Sequence, residues 1–257
     1  VNFLKSKCEL VNNNTLHIKD SNKSNFMVSF LKEIRPYQWI KNILVFIPMI
    51  AAQDFDKTTF FDGLFAFIAF SSTASSVYIF NDLLDIQADR NHPKKCKRPL
   101  ASGDLSFGIG ISSGILLLLI GLMLGYFIGN SFLTVLLTYY AITLSYSFYL
   151  KRKALVDIFI LSGLYTLRLL GGGMATNLNI SFWLLAFSLF IFLSLAAIKR
   201  QSELLDIIKR GEISLAGRGY RISDIDFIRN IAISSGLISS LVLSLYINSP
   251  KVLNLYS

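Results

Sequence analysis

Five uncharged stretches, Gly63 to Asn81, Phe107 to Ile128, Ser131 to Tyr149, Leu178 to Ile198 and Asn230 to Ser249, constrain this chain more than anything else in it. Each is about as long as the ~20 residues a helix needs to cross ~30 Å of hydrocarbon. Only 16% of the residues are charged, against roughly 25% in an average soluble domain, so a water-facing surface could not be covered and a soluble globular enzyme is excluded. Runs such as Leu116 to Leu119 do not alternate in polarity, which excludes a membrane barrel as well. The expected fold is all-α, a polytopic transmembrane helix bundle.

Seven spans are read: about Leu31 to Gln53, Thr59 to Leu84, Phe107 to Ile128, Ser131 to Leu150, Leu155 to Met174, Ile180 to Ile198 and Asp226 to Ile247. Residues 1–30 are polar, rich in lysine and asparagine, without a cleavable signal pattern, and read as an extension or linker ahead of one membrane domain over residues 31–257. The chain starts at Val1, so its numbering is expected to begin inside a longer product. Cys8 and Cys96 give no disulfide framework, and His17 and His92 cannot build a histidine-rich metal site.

Lysine and arginine set the orientation, because cytoplasmic loops are enriched in them. One set of segments holds most of them, including Lys32 and Arg35, Arg90 to Arg98, Lys151 to Lys153, and Lys199 to Arg229. The opposite loops hold Lys57 and, at the far end, Lys251. The N-terminus is therefore expected in the cytoplasm, in a cell (inner) membrane protein. The net charge of +9 follows from topology and gives no reason to invoke nucleic acid. The two long loops, Asp85 to Ser106 and Lys199 to Ile225, lie on the charged side, where the active site is expected to face the cytoplasm.

The second span ends in Asn81-Asp82-Leu83-Leu84-Asp85-Ile86-Gln87-Ala88-Asp89. At about 100° per residue, Asn81, Asp82, Asp85 and Asp89 fall within an arc of about 100°. Acids clustered at the end of a membrane helix need a counter-charge, and hard oxygen ligands of this kind suit Mg²⁺ completed by substrate phosphates. Asn81, Asp82, Asp85 and Asp89 are the candidate metal ligands, and a phosphate or diphosphate ester is the implied substrate. The next stretch, Arg90 to Gly103, reads as an ordered turn with two X-Pro steps. Its Lys95 and Arg98 are candidate phosphate-binding cations.

Asn81-x-x-x-Asp85-x-x-x-Asp89, closed by His92-Pro93 and Arg98-Pro99-x-x-Ser102-Gly103, resembles the first motif of the UbiA superfamily of intramembrane prenyltransferases. Arg35-Pro36-Tyr37-Gln38-Trp39-Ile40-Lys41-Asn42 looks like the start of the first helix in one branch, the polyprenyl-phosphate phosphoribosyltransferases. The resemblance covers about residues 31–249 and implies nine family helices, of which the last two are expected to be missing here. In prenyltransferases of the superfamily the loop after the sixth helix is a second aspartate-rich motif. Here it reads Lys199-Arg200-Gln201-Ser202-Glu203, similar to the Lys-Arg-x-x-Glu element of the phosphoribosyl branch. Tyr146 to Lys151 also resembles that branch.

The resemblance implies a Mg²⁺-dependent enzyme of the cell envelope that moves 5-phosphoribosyl from phosphoribosyl pyrophosphate to a polyprenyl phosphate, releasing pyrophosphate. Asp85, Asp89 and Glu203 are its expected catalytic residues, and Lys41, Asn42, Lys95, Arg98, Tyr146, Lys151, Arg168, Lys199 and Arg200 its expected substrate contacts. Arg168 either faces an internal cavity or snorkels outward, and Gly171-Gly172-Gly173 reads as a helix break. One rival is a prenyltransferase of the same superfamily acting from a prenyl diphosphate on an aromatic acceptor. A transporter is the rival from another class, but the sequence lacks an internal repeat.

Overall fold

The computed structural model describes residues 26–92, 94–210 and 219–248. Most of the expected N-terminal extension, the Pro93 step, residues 211–218 and Lys251 lie outside the described residues. Among those described the chain is all-α, and six helices are long and apolar enough to cross a membrane: α3 (Lys57–Leu84), α6 (Phe107–Ile128), α7 (Asn130–Phe148), α8 (Val156–Thr176), α9 (Phe182–Arg210) and α10 (Ile225–Ile247). Shorter helices join them: α1 (Phe26–Ile34), α2 (Ile47–Ala52), α4 (Ile86–Arg90) and α5 (Pro99–Ser102).

The first expected span is the one that differs. Helix α1 takes up residues 26–34, including the end of the expected extension, and a 3-10 helix over Pro36–Phe46 then leads into α2. Arg35 has φ 53°, a left-handed conformation that a residue with a Cβ seldom adopts, immediately before Pro36. Pro48 lies in the first turn of α2, where its missing N–H costs nothing. Eleven residues of 3-10 helix are unusual, because that geometry rarely persists beyond a turn. At about 2.0 Å per residue the segment extends about 22 Å.

The chain divides into two compact units, Val1–Ile40 with Ile68–Met123, and Lys41–Phe67 with Leu124–Ser257. In the first unit, Ile34, Ile79, Leu100 and Leu105 form a core that Phe30, Trp39 and Leu83 extend. Trp39 Nε1 donates to Ser75 Oγ at 3.0 Å, and that hydroxyl donates to the Ile34 carbonyl at 2.8 Å. Helix α6 approaches α3 closely through Gly110, Gly114 and Gly121. A Cβ at Gly121 would lie 2.3 Å from Thr73 Oγ1, the small-residue packing by which membrane helices gain dispersion contacts.

In the second unit, α8, α9 and α10 pack around Ile158, Leu193, Ala197, Leu204, Tyr220 and Ile228. The expected break at Gly171-Gly172-Gly173 does not occur, since α8 continues through all three to Thr176. Their smallness serves packing instead: a Cβ on Gly172 would lie 2.0 Å from the Val45 carbonyl oxygen. Helix α9 likewise continues through Lys199 to Arg210, turning the first part of an expected loop into helix.

Candidate active site

Helix α3 stops at Leu84, and Asp85, at φ −92° and ψ 9°, separates it from α4. The backbone bonds Asp85 N to Asn81 O (2.9 Å) and Asp89 N to Asp85 O (2.8 Å) nevertheless carry the helical stack across this joint. Asn81, Asp85 and Asp89 therefore keep their one-turn spacing, while their surroundings diverge: Asp85 is exposed, Asn81 half-buried, and Asp82 and Asp89 buried.

Arginine 98 joins the two buried acids, its Nη1 lying 2.8 Å from Asp82 Oδ1 and 2.5 Å from Asp89 Oδ2. Arg35 pairs with the other oxygen of Asp82, and Lys95 Nζ stands 3.7 Å from Asp89 Oδ1. The ordered turn aims these cations. His92 Nδ1 accepts from the amides of Lys94 and Lys95 at 3.2 and 3.3 Å. Arg98, extended before a proline at ψ 142°, is followed by α5, which Gly103 ends at φ 87°. Glu33 of α1 is buried beside the same cluster; burial first, and then the charge of Asp82, push its carboxyl up to about 7. Sequence reasoning missed Glu33 and left Arg35 out of the site, because their partner Asp82 lies 47 residues beyond Arg35.

Among the described residues no three acidic, histidine or cysteine side chains come together to cradle an ion by themselves. The donor chemistry still suits a hard cation, since Asn81, Asp85 and Asp89 offer only oxygen ligands of the kind Mg²⁺ takes. Mg²⁺ commonly uses one or two carboxylates, with waters and substrate phosphates completing its shell.

In the second unit Arg200, one of the expected substrate contacts, is buried. Its guanidinium is 0% exposed, its Nε lies 2.7 Å from Asp157 Oδ2, and Asp157 is equally buried. Arg200 also pairs with Glu203, one helical turn on, and lies over the Tyr220 ring at 5.7 Å. Tyr146 donates to Asp157 Oδ1 at 2.8 Å, so this expected substrate contact holds the same acid. The backbone that presents Asp157 is strained: Leu155 has φ 68° and ψ −53°, and Val156 N bonds Ala154 O at 2.8 Å, a γ-turn rarely adopted by residues with a Cβ. Tyr220 Oη accepts from Leu155 N at 3.0 Å, and burial pushes the Tyr220 phenol up, with the Asp157 charge adding to it. Asp157 and Tyr220 were absent from the expected site, although an acid in the first turn of an apolar span was a visible signal.

Arg168 faces inward and is 5% exposed. Its Nε donates to Asn42 Oδ1 at 2.7 Å, Nη1 to the Leu164 carbonyl at 2.6 Å and Nη2 to Tyr139 Oη at 2.8 Å. Lys41, in the 3-10 helix, is within electrostatic range of both Lys199 and Arg168. Lys199 is exposed at its place on α9, and Lys151 is half-buried in the 3-10 turn Leu150–Arg152. The structure thus groups Arg35, Asp82, Asp89, Lys95 and Arg98 in one unit. In the other it groups Tyr146, Asp157, Arg200 and Glu203, and separately Lys41, Asn42, Arg168 and Lys199.

The sequence matches the UbiA prenyltransferase family over residues 43–207. The chain belongs to this family. It is 36% identical over 200 residues to the decaprenyl-phosphate phosphoribosyltransferase of Corynebacterium glutamicum, covering 74% of this chain and 60% of that one. It is also 34% identical over 225 residues to the nodulation protein NoeC of Azorhizobium caulinodans, covering 88% and 73%. Across the first three curated relatives it matches, the chain spans 46%, 73% and 60% of their length. Its fold is similar to that of a UbiA homologue from Archaeoglobus fulgidus bound to GPP and Mg²⁺, with a TM-score of 0.67 at 16% identity over 87% of this chain and 80% of that one. This is an integral membrane protein with a UbiA fold, and its family is one of transferases.

Proposed function

We propose that the chain carries the catalytic part of a polyprenyl-phosphate phosphoribosyltransferase, acting from phosphoribosyl pyrophosphate on a polyprenyl phosphate. The observation that carries this reading is the interleaving of acids and cations where α3 meets α4. Asp82 and Asp89 are tied to Arg35, Arg98 and Lys95, which suits a ligand presenting several phosphates together with a cation. The phosphoribosyltransferase relative at 36% identity supports the same assignment.

Asn81, Asp85 and Asp89 would hold Mg²⁺, which when bound supplies positive charge against the leaving pyrophosphate. Lys95 and Arg98 would contact the same leaving group and stabilise the charge that grows on it. The bond from the anomeric carbon to the pyrophosphate oxygen breaks, its electron pair leaving with pyrophosphate. A phosphate oxygen of the lipid forms the new bond. That oxygen is already anionic, so the chain need supply no general base. Asp82, held by two arginines, positions Arg98 rather than meeting substrate, and Arg200, fixed by Asp157, positions Glu203. Lysine and arginine placement supports a cytoplasmic N-terminus and a site open to the cytoplasm of the cell membrane.

The test is Mg²⁺-dependent turnover by the full chain in lipid with labelled phosphoribosyl pyrophosphate. Asp85→Asn is expected to lower turnover by about 100-fold or more, a loss of transition-state charge stabilisation comparable to removing one strong electrostatic donor, while the protein stays folded. Wild-type rates from this variant, or full activity in excess chelator, would remove the acids from the reaction.

A further inference from the structure

The guanidinium of Arg168 sits 12 residues beyond Val156, the first residue of α8, or about 18 Å along the axis at 1.5 Å per residue. In a 21-residue helix long and apolar enough to cross a membrane that position is about two turns or more from either end, where a charge is costly unless it meets a partner or lines a polar cavity. Three of its five N–H donors go to Asn42, Leu164 and Tyr139, and the rings of Tyr139 and Tyr165 lie 4.8 and 5.4 Å from its carbon. Every one of these partners is neutral. The nearest candidate counter-ion on its own helix, Asp157, is eleven residues away and already bound to Arg200. None of the ion pairs among the described residues involves Arg168, Lys41 or Lys199. The interior of this unit thus holds a buried guanidinium, fixed in orientation by four neighbours, with further cations within electrostatic range and, among the described residues, no carboxylate ion-paired to them.

We propose that Arg168 and Lys41, with Lys199 nearer the end of the span, form the seat for a phosphate monoester, and that this phosphate is the headgroup of the lipid acceptor. The proposal deepens the phosphoribosyltransferase reading and rests on it for the identity of the lipid. Two sources could supply such a phosphate, the lipid or the soluble sugar donor. Depth favours the lipid: its hydrocarbon tail already lies in the bilayer and carries the phosphate in with it, whereas a soluble sugar phosphate must shed its hydration shell to reach Arg168. Arg168 is therefore assigned to direct contact with the acceptor, and Asn42 and Tyr139 are positioning residues that hold its fork towards the phosphate.

The experiment measures ligand retention by the purified full chain in lipid nanodiscs, without turnover. Its arms are polyprenyl phosphate, the uncharged polyprenol of equal length, and phosphoribosyl pyrophosphate. Wild type is expected to retain polyprenyl phosphate in preference to polyprenol. Loss of one charge-assisted phosphate contact corresponds to about 10-fold to 150-fold weaker binding, so Arg168→Gln should lose lipid phosphate by that factor and keep its affinity for the sugar donor. Lys41→Met leaves all three Arg168 hydrogen bonds in place and should weaken the same arm, which decides the matter if Arg168→Gln does not fold. Unchanged retention of polyprenyl phosphate in both folded variants, or a loss confined to the sugar-donor arm, overturns the proposal. Failure of the underlying reading looks different: wild type would not bind phosphoribosyl pyrophosphate at all, while the lipid-phosphate arm would still report on Arg168.

Discussion

Removing the guanidinium at position 200 separates a buried structural cation from a ligand-binding one. Asp157 is 0% exposed, and replacing Arg200 by methionine would take away its guanidinium partner while the Tyr146 hydroxyl at 2.8 Å stays in place. Breaking a buried ion pair by deleting one partner costs about 3–5 kcal/mol, mostly because the remaining charge is stranded. Arg200→Met should therefore destabilise the protein by about that amount, and Asp157→Asn by a similar one, since it strands Arg200 with Glu203 alone. The double variant removes both charges together, so its loss should fall short of the sum by about 2 kcal/mol or more. Reversible unfolding in mixed micelles for the four proteins gives the coupling energy, and the Michaelis constant for the soluble donor is measured alongside. Additive losses, or a donor Michaelis constant raised in Arg200→Met with stability unchanged, would refute the buried-clamp account and return Arg200 to the ligand.

Two further perturbations test the packing and electrostatics around the sites. Glu33 has a folded-state carboxyl raised from 4.5 to about 7, so the folded state binds its proton more tightly than the unfolded one. The stability this gives is fully present below about pH 4.5 and is lost as pH rises through about 7; Glu33→Gln should thus stabilise by about 1 kcal/mol after solvent screening at pH 8 and by much less at pH 5, read as the difference in unfolding midpoint. Gly172→Ala should cost about 1–3 kcal/mol, because its new methyl would meet the Val45 carbonyl oxygen, a backbone atom that cannot swing aside; an unchanged midpoint would contradict that close approach.

Much of the architecture was legible because hydrocarbon thickness dictates helix length. The expected span Phe107 to Ile128 coincides with α6, and five others differ from their helices at the ends only, α9 by the twelve residues to Arg210. The first span was not legible, since apolar content says nothing of the left-handed Arg35 or the 3-10 winding after Pro36. The triple glycine was misread because a glycine signals either freedom or closeness, and only the neighbouring Val45 backbone decides which. At the candidate site, the spacing of Asn81, Asp85 and Asp89 was readable along the helix. Which acids are buried, and that Arg98 joins two of them, depends on where the turn folds back. Arg200 was read as a substrate contact because its partner Asp157 belongs to another span, 43 residues earlier. The inward choice for Arg168 likewise depends on Asn42, 126 residues away.

Donor choice tests the central claim most directly. The full chain, reconstituted in lipid with Mg²⁺, polyprenyl phosphate and an aromatic acceptor, is given phosphoribosyl pyrophosphate labelled in the ribose in one reaction and a labelled prenyl diphosphate in another. The account predicts a lipid-linked phosphoribosyl product with stoichiometric pyrophosphate from the first and no transfer from the second. Prenyl transfer to the aromatic acceptor, with no label from phosphoribosyl pyrophosphate entering lipid, would contradict it.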